Sequence, residues 1–330
     1  MTSCIGARPL MAAQLTVMSE SPPDPVPFCS DLARQRGEPL FASAVHVDVW
    51  FLLEYEGAWT AQATADNDLP PATQRWLQAQ LALTDRGRLQ FIKRAAGRPE
   101  AGLTFFVALA REAKPLLYEF RPADYEALQQ LDLAPLLNGD GSAVADRLRL
   151  TPLYLVCTNG KRDRCCARDG LALYQALAER VGSAAWQTTH LGGHRFAPTL
   201  ISFPEGAVYG RLAPADVDSF IRTQARGRLD PAHLRGRSCY PAPAQAAAHF
   251  LRSQRGLNEW AAFRLLELSE EAQRPDGTAR WTVRFEEAES GRIHRLSVGR
   301  TLSETPQVVS CSPVKTKPVA RFQLLEYQPG

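Results

Sequence analysis

Two thiols and two imidazoles, close together in the chain, set the tightest limit on what it can fold into. Leu-Val-Cys-Thr-Asn-Gly-Lys-Arg-Asp-Arg-Cys-Cys runs from Leu155 to Cys166, and His-Leu-Gly-Gly-His from His190 to His194. Each pair stands at the end of an apolar run that reads as a strand. Pro152 to Val156 leads into Cys157, and Ala185 to Thr189 delivers His190. Between them, Ala167 to Val181 places Leu171, Tyr174, Leu177, Ala178 and Val181 on one helical face, and Gly182 stops the helix. Thr199 to Phe203 and Ala207 to Tyr209 flank the turn Pro204-Glu205-Gly206, and Pro214 to Gln224 reads as a helix with Pro214 at its first position. The order strand, helix, strand, strand, strand, helix fits a small sheet covered by helices.

Deprotonated thiols and neutral imidazoles held together suit a soft or borderline metal. Cys157 and Cys166 bracket a polar loop of eight residues, long enough to bring both sulfurs to one side. His190 and His194 are four apart and share a face if the segment turns like a helix; Gly192 and Gly193 let the backbone turn tightly. Of the adjacent cysteines, Cys166 is preferred because it opens the expected helix, where the dipole favours a thiolate. Cys165 reads as a small buried neighbour. A zinc protease would need Glu where Leu191 stands, and a Rieske centre alternates Cys and His in each of two short segments, whereas here both Cys precede both His. On these residues alone, an iron–sulfur centre and a Cys2His2 zinc site both stand.

The rest of the chain narrows the class. Its 330 residues accommodate two or three domains, and no apolar run approaches the roughly 20 residues of a membrane span. A net charge of +3 is too mild to point to nucleic acid or a membrane surface. The first 28 residues show no convincing signal peptide, and Ser19 to Pro27 reads as a disordered linker, so a cytoplasmic location is expected. With seven cysteines and no export signal, disulfides are not expected; Cys4, Cys29, Cys239 and Cys311 read as buried thiols. Ala44–Glu54, Leu89–Arg94, Leu103–Ala110 and Pro115–Phe120 read as strands, and Pro70–Leu83 and Pro122–Leu133 as helices. Arg226 to Arg237 reads as a basic linker, Ala242 to Arg255 as a helix, and Ala262–Leu268, Arg280–Glu286, Arg292–Gly299 and Ala320–Tyr327 as antiparallel strands with turns at Pro275-Asp276-Gly277 and Glu289-Ser290-Gly291.

Cys-Thr-Asn-Gly-Lys-Arg-Asp-Arg-Cys-Cys, His-Leu-Gly-Gly-His-Arg-Phe-Ala and Val-Tyr-Gly-Arg-Leu (Val208 to Leu212) together resemble the sucrase/ferredoxin-like family. The resemblance is strong over Thr151 to Leu212 and weaker at Cys29-Ser30, Gly37 to Leu40, Gly236 to Ser238 and Gln245 to Ala247. It implies a thioredoxin-like ferredoxin domain whose 2Fe–2S cluster is held by Cys157, Cys166, His190 and His194, a bis-histidinyl, non-Rieske set. Cys166 matches because relatives without the doubled cysteine keep this eight-residue gap. The resulting expectation is an α/β (α+β) protein: a tail over 1–27, a mixed α/β domain over 28–140, the thioredoxin-like 2Fe–2S domain over 145–228, and a C-terminal helix with antiparallel strands over 229–330. From its similar mix of elements, the first domain is expected to be a degenerate copy of the second.

The function expected is soluble one-electron transfer rather than catalysis. The family name's "sucrase" finds no carboxylate pair placed across a sugar; Glu270-Glu271 and Glu286-Glu287 decorate a solvated face. Two thiolates and two neutral imidazoles leave an oxidised cluster formally neutral, so its potential should lie well above the roughly −400 mV of plant-type ferredoxins. Proton-coupled transfer is also expected, through the outer ring nitrogens. Lys161, Arg162, Arg164, Arg168 and Arg195 are expected to form a docking patch for an acidic redox partner, with no nucleic-acid or membrane partner. Arg162 is expected to donate towards cluster sulfur, Thr189 to orient a ligand histidine, and Asp163 to fix the loop. Competing readings are the structural zinc protein and a thiol–disulfide oxidoreductase using Cys165 and Cys166, which lack the Cys-x-x-Cys spacing.

Overall fold

The computed structural model describes residues 1, 27–94, 102–271, 278–311 and 313–330. Cys4, the expected tail and linker up to residue 26, and the turn at Pro275-Asp276-Gly277 lie outside the described residues.

The first half carries α1 (Cys29–Gln35), β1 (Val49–Glu54), α2 (Pro71–Ala82), β2 (Gly87–Lys93), β3 (Phe105–Leu109), β4 (Leu116–Phe120) and a single turn of helix, α3 (Ala134–Leu137). Strand β1 pairs in parallel with β2 and antiparallel with β3, which pairs antiparallel with β4. The second half carries β5 (Leu153–Cys157), α4 (Arg164–Val181), β6 (Ala185–Thr188), β7 (Thr199–Phe203), β8 (Ala207–Gly210), α5 (Val217–Ala225) and β9 (Leu234–Arg237). Here β5 is parallel to β6 and antiparallel to β7, and β7 is antiparallel to β8. This is the thioredoxin-like order, and the first half repeats it strand for strand.

The two units join edge to edge. Strands β2 and β6 pair antiparallel through Ile92–Thr188 and Lys93–Gln187, closing one nine-stranded sheet, β4-β3-β1-β2-β6-β5-β7-β8-β9. Trp50, Leu52 and Phe106 from the first unit pack in one core with Leu153, Leu155 and Trp186 from the second. All residues of β1, β3, β5, β6, β7 and β8 are buried, which explains their nearly continuous apolar sequence. Chemistry separates the copies. Where β5 ends in Cys157, β1 ends in Glu54, whose carboxylate accepts from the Thr104 amide.

Two expectations need correction. The helix expected over Pro122–Leu133 is a short 3-10 turn at Ala127–Gln130 followed by α3. Asp124 and Asp132 accept from the amides of Ala127 and Ala134, drawing the backbone into local turns instead of a continuous helix. The basic linker ends in β9, whose Arg235 and Arg237 are buried. A hairpin of Gln307–Cys311 with Val314–Lys317 also goes unforeseen.

After β9 come α6 (Ala242–Arg255), β10 (Phe263–Glu270), β11 (Ala279–Glu287), β12 (Ile293–Leu302), β13 (Gln307–Cys311), β14 (Val314–Lys317) and β15 (Ala320–Gln328). Strands β10-β11-β12-β15 form a separate antiparallel sheet. Its inner face, including Trp281, Val283, Phe285, Leu296 and Val298, packs with Ala244, Ala247 and Leu251 of α6. The β13–β14 hairpin leaves this sheet and lies against the first turns of the second unit, as its bonds to Asp163 and His194 show.

One close approach sets the reach of the cysteine pair. A Cβ built on Gly170 of α4 would lie 2.1 Å from the Cys157 carbonyl oxygen. That neighbour is backbone and cannot swing away. Gly170→Ala should therefore cost about 2 kcal/mol, within the usual overpacking range, and push the start of α4 from the end of β5. Urea unfolding measures it; an unchanged midpoint would show that the helix slides at no cost.

Candidate metal centre

The site is built where three elements of the second unit end. Cys157 closes β5, with its side chain fully buried. The chain then turns through Asn159, whose side-chain oxygen accepts from the Arg162 amide, and enters α4 at Asp163. Asp163 Oδ1 accepts from the Cys165 amide at 3.0 Å, so the loop is fixed by the aspartate, as expected, and Cys166 sits in the first helical turn. His190 follows β6. Its carbonyl accepts from Arg88 Nη2 at 2.6 Å, and the adjacent Thr189 hydroxyl accepts from the Phe91 amide at 3.1 Å, tying this end of β6 to β2.

Cys157, Cys166 and His190 converge, their ligand atoms all within 4.8 Å of one another. His190 Nδ1 lies 3.9 Å from Cys157 Sγ and 3.8 Å from Cys166 Sγ. His194 stands just outside this trio, its ring centroid 5.1 Å from that of His190. Its Nε2 lies 2.5 Å from the Val309 carbonyl oxygen in β13, so Nε2–H donates there. Burial pushes the His194 pKa down and keeps the ring neutral. Nδ1 then carries a lone pair, is buried, and has no hydrogen-bond partner. A hydrogen bond at one ring nitrogen that frees the other is how protein ligand histidines are commonly prepared.

The thiol pair is electrostatically poised. A hydrogen bond from the Cys166 thiol draws Cys157 well below the ordinary thiol range; burial opposes this and His190 adds to it. The same bond, together with burial, pushes Cys166 well up. One proton is thus held between two sulfurs, the proton a metal cation displaces.

The flanking basic residues divide. Arg168 pairs with Asp31 and Asp169 and stacks over Phe28, and Arg195 pairs with Glu38, so both hold the fold together. Arg162 borders an open cavity of about 570 Å³ together with Arg88, Gln90, Asn159, Thr189 and His190. A second cavity, lined by Arg162, His194, Arg195 and Val309, opens on the other imidazole.

A profile of the sucrase/ferredoxin-like family matches residues 40–236. The chain belongs to the sucrase/ferredoxin-like family. The family match spans both thioredoxin-like units and stops within β9, leaving α6 and the antiparallel sheet outside it. Altered inheritance of mitochondria protein 32 from Meyerozyma guilliermondii is 30% identical over 133 residues, covering 37% of this chain and 45% of that protein. The match therefore spans less than half of that relative's length. Among solved structures, a thioredoxin-like [2Fe-2S] ferredoxin from Aquifex aeolicus aligns at 19% identity, over 27% of this chain and 94% of its own, with a TM-score of 0.24. A cysteine-to-serine variant of that ferredoxin aligns at 22% identity, over 23% and 89%, with a TM-score of 0.21.

Sequence reasoning missed two groups around this family member's site. Arg235 is fully buried; its guanidinium donates to the Gly192 carbonyl at 2.9 Å and the Ser43 carbonyl at 2.5 Å, holding the glycine pair between the two histidines. A Cβ on Gly193, whose φ is +71°, would lie 2.2 Å from Arg235 Nη2. The other is a set of thiols around Cys165. Adjacent helical residues point about 100° apart. The doubled cysteine therefore signalled a second set of neighbours. Cys165 belongs with Cys29 and Cys311, whereas Cys166 faces Cys157.

Proposed function

We propose that this protein carries single electrons on a 2Fe–2S cluster held by Cys157, Cys166, His190 and His194. The observation that carries the reading is the convergence of two buried thiols and His190, with the unpartnered Nδ1 of His194 one ring away. The residues fit the group in chemistry: a sulfur pair able to shed its shared proton, and imidazoles able to bind as neutral ligands. Such a cluster supplies one-electron redox chemistry. The protein's part is to exclude water from the thiols, fix the His194 tautomer and supply a compensating cation in Arg235. Arg162 and the cavity beside His190 form the face where we place an acidic redox partner, with the exposed Lys161 next to Arg162 in the chain. The cytoplasmic location read from the sequence belongs to the same proposal, although the relative's name refers to mitochondria. Among the described residues, no helix is long and apolar enough to cross a membrane.

Anaerobically purified protein should be red-brown, with about equal iron and labile sulfide and a rhombic EPR signal on reduction. Colourless protein without iron, with all four positions intact, would remove the reading. Voltammetry across pH adds a finer prediction. If His190 binds through Nδ1, its Nε2 is the outer nitrogen, and reduction raises that nitrogen's proton affinity. The potential should fall by about 59 mV per pH unit, the slope for one electron and one proton, once the oxidised form has lost that proton. A potential flat from acid to alkaline pH would exclude proton coupling.

A further inference from the structure

Beside the Cys157–Cys166 pair, at the start of α4, lies a second cluster of thiols. Cys165 Sγ is 3.4 Å from Cys29 Sγ in α1 and 3.5 Å from Cys311 Sγ at the end of β13. Asp163 Oδ1 is 2.9 Å from Cys311 Sγ and 3.9 Å from Cys29 Sγ. The four ligand atoms all lie within 4.8 Å of one another. Cys29, Asp163 and Cys165 are fully buried and Cys311 nearly so. These side chains come from three stretches of chain far apart in sequence, and none belongs to the ligand set proposed above.

We propose that Cys29, Cys165, Cys311 and Asp163 hold a zinc ion. Three features carry this. The sulfur spacings are wrong for a disulfide, at about 2.05 Å, and near the roughly 3.8 Å that a tetrahedral ion with bonds of about 2.3 Å imposes on its sulfurs. Four donors, three of them soft, make a closed tetrahedral set of the structural kind, with no position left for substrate. The carboxylate is also held in place from behind. Its Oδ2 accepts from Ser310 Oγ and the Cys311 amide, both at 3.0 Å, and its Oδ1 from the Cys165 amide. Outer hydrogen bonds of this type orient metal-binding carboxylates.

A merely space-filling role for the thiols leaves their gathering around one helix-capping carboxylate unexplained. Small buried thiols pack well against apolar neighbours, and Ala197, Phe28 and Val308 are present here. The carboxylate at their centre caps α4 and accepts from the Cys165 and Cys311 amides, Ser310 Oγ and the Cys311 thiol, so it stands there as a hydrogen-bonded anionic donor. Among the described residues, its one ion-pair contact within 4.0 Å is His194 Nδ1 at 3.7 Å. A divalent ion takes the place of the thiol proton that the carboxylate accepts, and the thiol protons leave to solvent as it binds. The ion would clip α1 and β13 to the start of α4. Val309, two residues before Cys311, receives the His194 ring, so the clip also steadies that histidine.

The test uses the full chain, expressed with zinc and iron supplied and purified anaerobically under reductant, with both metals measured by mass spectrometry. One zinc per chain is expected in addition to iron. Cys29→Ser and Cys311→Ser should each lower zinc at least tenfold while keeping the visible spectrum; Cys157→Ser should lose iron and keep zinc. Zinc-free wild-type protein overturns the proposal. So does zinc retained in both serine variants, zinc lost only with Cys157→Ser, or a native disulfide among Cys29, Cys165 and Cys311. Should the variants fail to fold, cobalt in place of zinc in the wild-type chain decides. An intense tetrahedral thiolate spectrum supports the site, and a weak octahedral one overturns it. Zinc without iron would leave this site standing and remove the electron-transfer reading; iron without zinc would do the reverse.

Discussion

On the ligand set proposed above, replacing His194 with cysteine should lower the midpoint potential of the cluster by on the order of 100 mV or more. The change exchanges a neutral ligand for an anionic one. With two thiolates and two imidazoles, the oxidised cluster is formally neutral; with three thiolates it carries one negative charge, and the incoming electron meets it. Clusters with two imidazoles lie at roughly −150 to +300 mV, and all-thiolate plant-type clusters near −400 mV, so one ligand accounts for about half of a large gap. The surroundings amplify the effect, because His194 is half-buried and solvent screens the new charge less than at the surface. Geometry permits the exchange. A cysteine sulfur reaches less far from the backbone than an imidazole nitrogen, and Gly192 and Gly193, both with positive φ, precede the residue and allow the loop to close in. The hydrogen bond to Val309 is lost, so cluster retention should weaken as well. Voltammetry at fixed pH, with EPR to confirm an intact centre, measures the shift. An unchanged potential would show that His194 is not a ligand.

The same residues show what a sequence discloses and what it hides. Local pattern was enough to place β5, α4 and β6, because apolar runs make the two strands and polar loops bound them, although Leu171, read on the apolar face of α4, is exposed and Leu173 is buried instead. Their ends could be read because ligand-type residues stand there. The N-terminal unit was legible as a repeat of element types, although its partnership with the second through β2 and β6 depends on two backbone pairs that leave no mark in composition. Long-range assembly was not legible. Nothing in the spacing of Cys29, Cys165 and Cys311 links them, since α1 and β13 meet only after the chain has closed upon itself. Strand β9 was hidden for a different reason. Leu-Arg-Gly-Arg reads as polar, yet Arg235 and Arg237 are buried with their guanidinium groups against backbone carbonyls. A hydrophobicity pattern counts such residues as surface, whereas tertiary contacts satisfy them inside.

Arg235 therefore deserves the harder test, and Arg235→Met should lower the potential and loosen the cluster together. Burial pushes its pKa down to about 9, so it is still a cation at neutral pH. No carboxylate pairs with it among the described residues; its donors go to Ser43 Oγ and to the Ser43 and Gly192 carbonyls, and its plane lies 5.3 Å from the Phe196 ring centroid. The cation thus retains its field instead of spending it on a partner, and the thiols of Cys157 and Cys166 are close enough to raise its proton affinity. A unit charge about 10 to 15 Å from a redox centre, at an effective dielectric of about 20, contributes on the order of 1 to 2 kcal/mol, or on the order of 50 mV for one electron. Removing it disfavours the reduced, more negative state by that amount. Global stability is a poorer readout. Methionine leaves two carbonyls unsatisfied at about 1 to 3 kcal/mol each, but it also abolishes the cost of burying a lone charge. Arg235→Lys separates the two roles. It keeps the charge and loses the fork that grips Gly192, so its potential should stay near wild type while iron is lost faster on dilution. A potential that falls equally in both variants would trace the effect to loop geometry rather than to the charge.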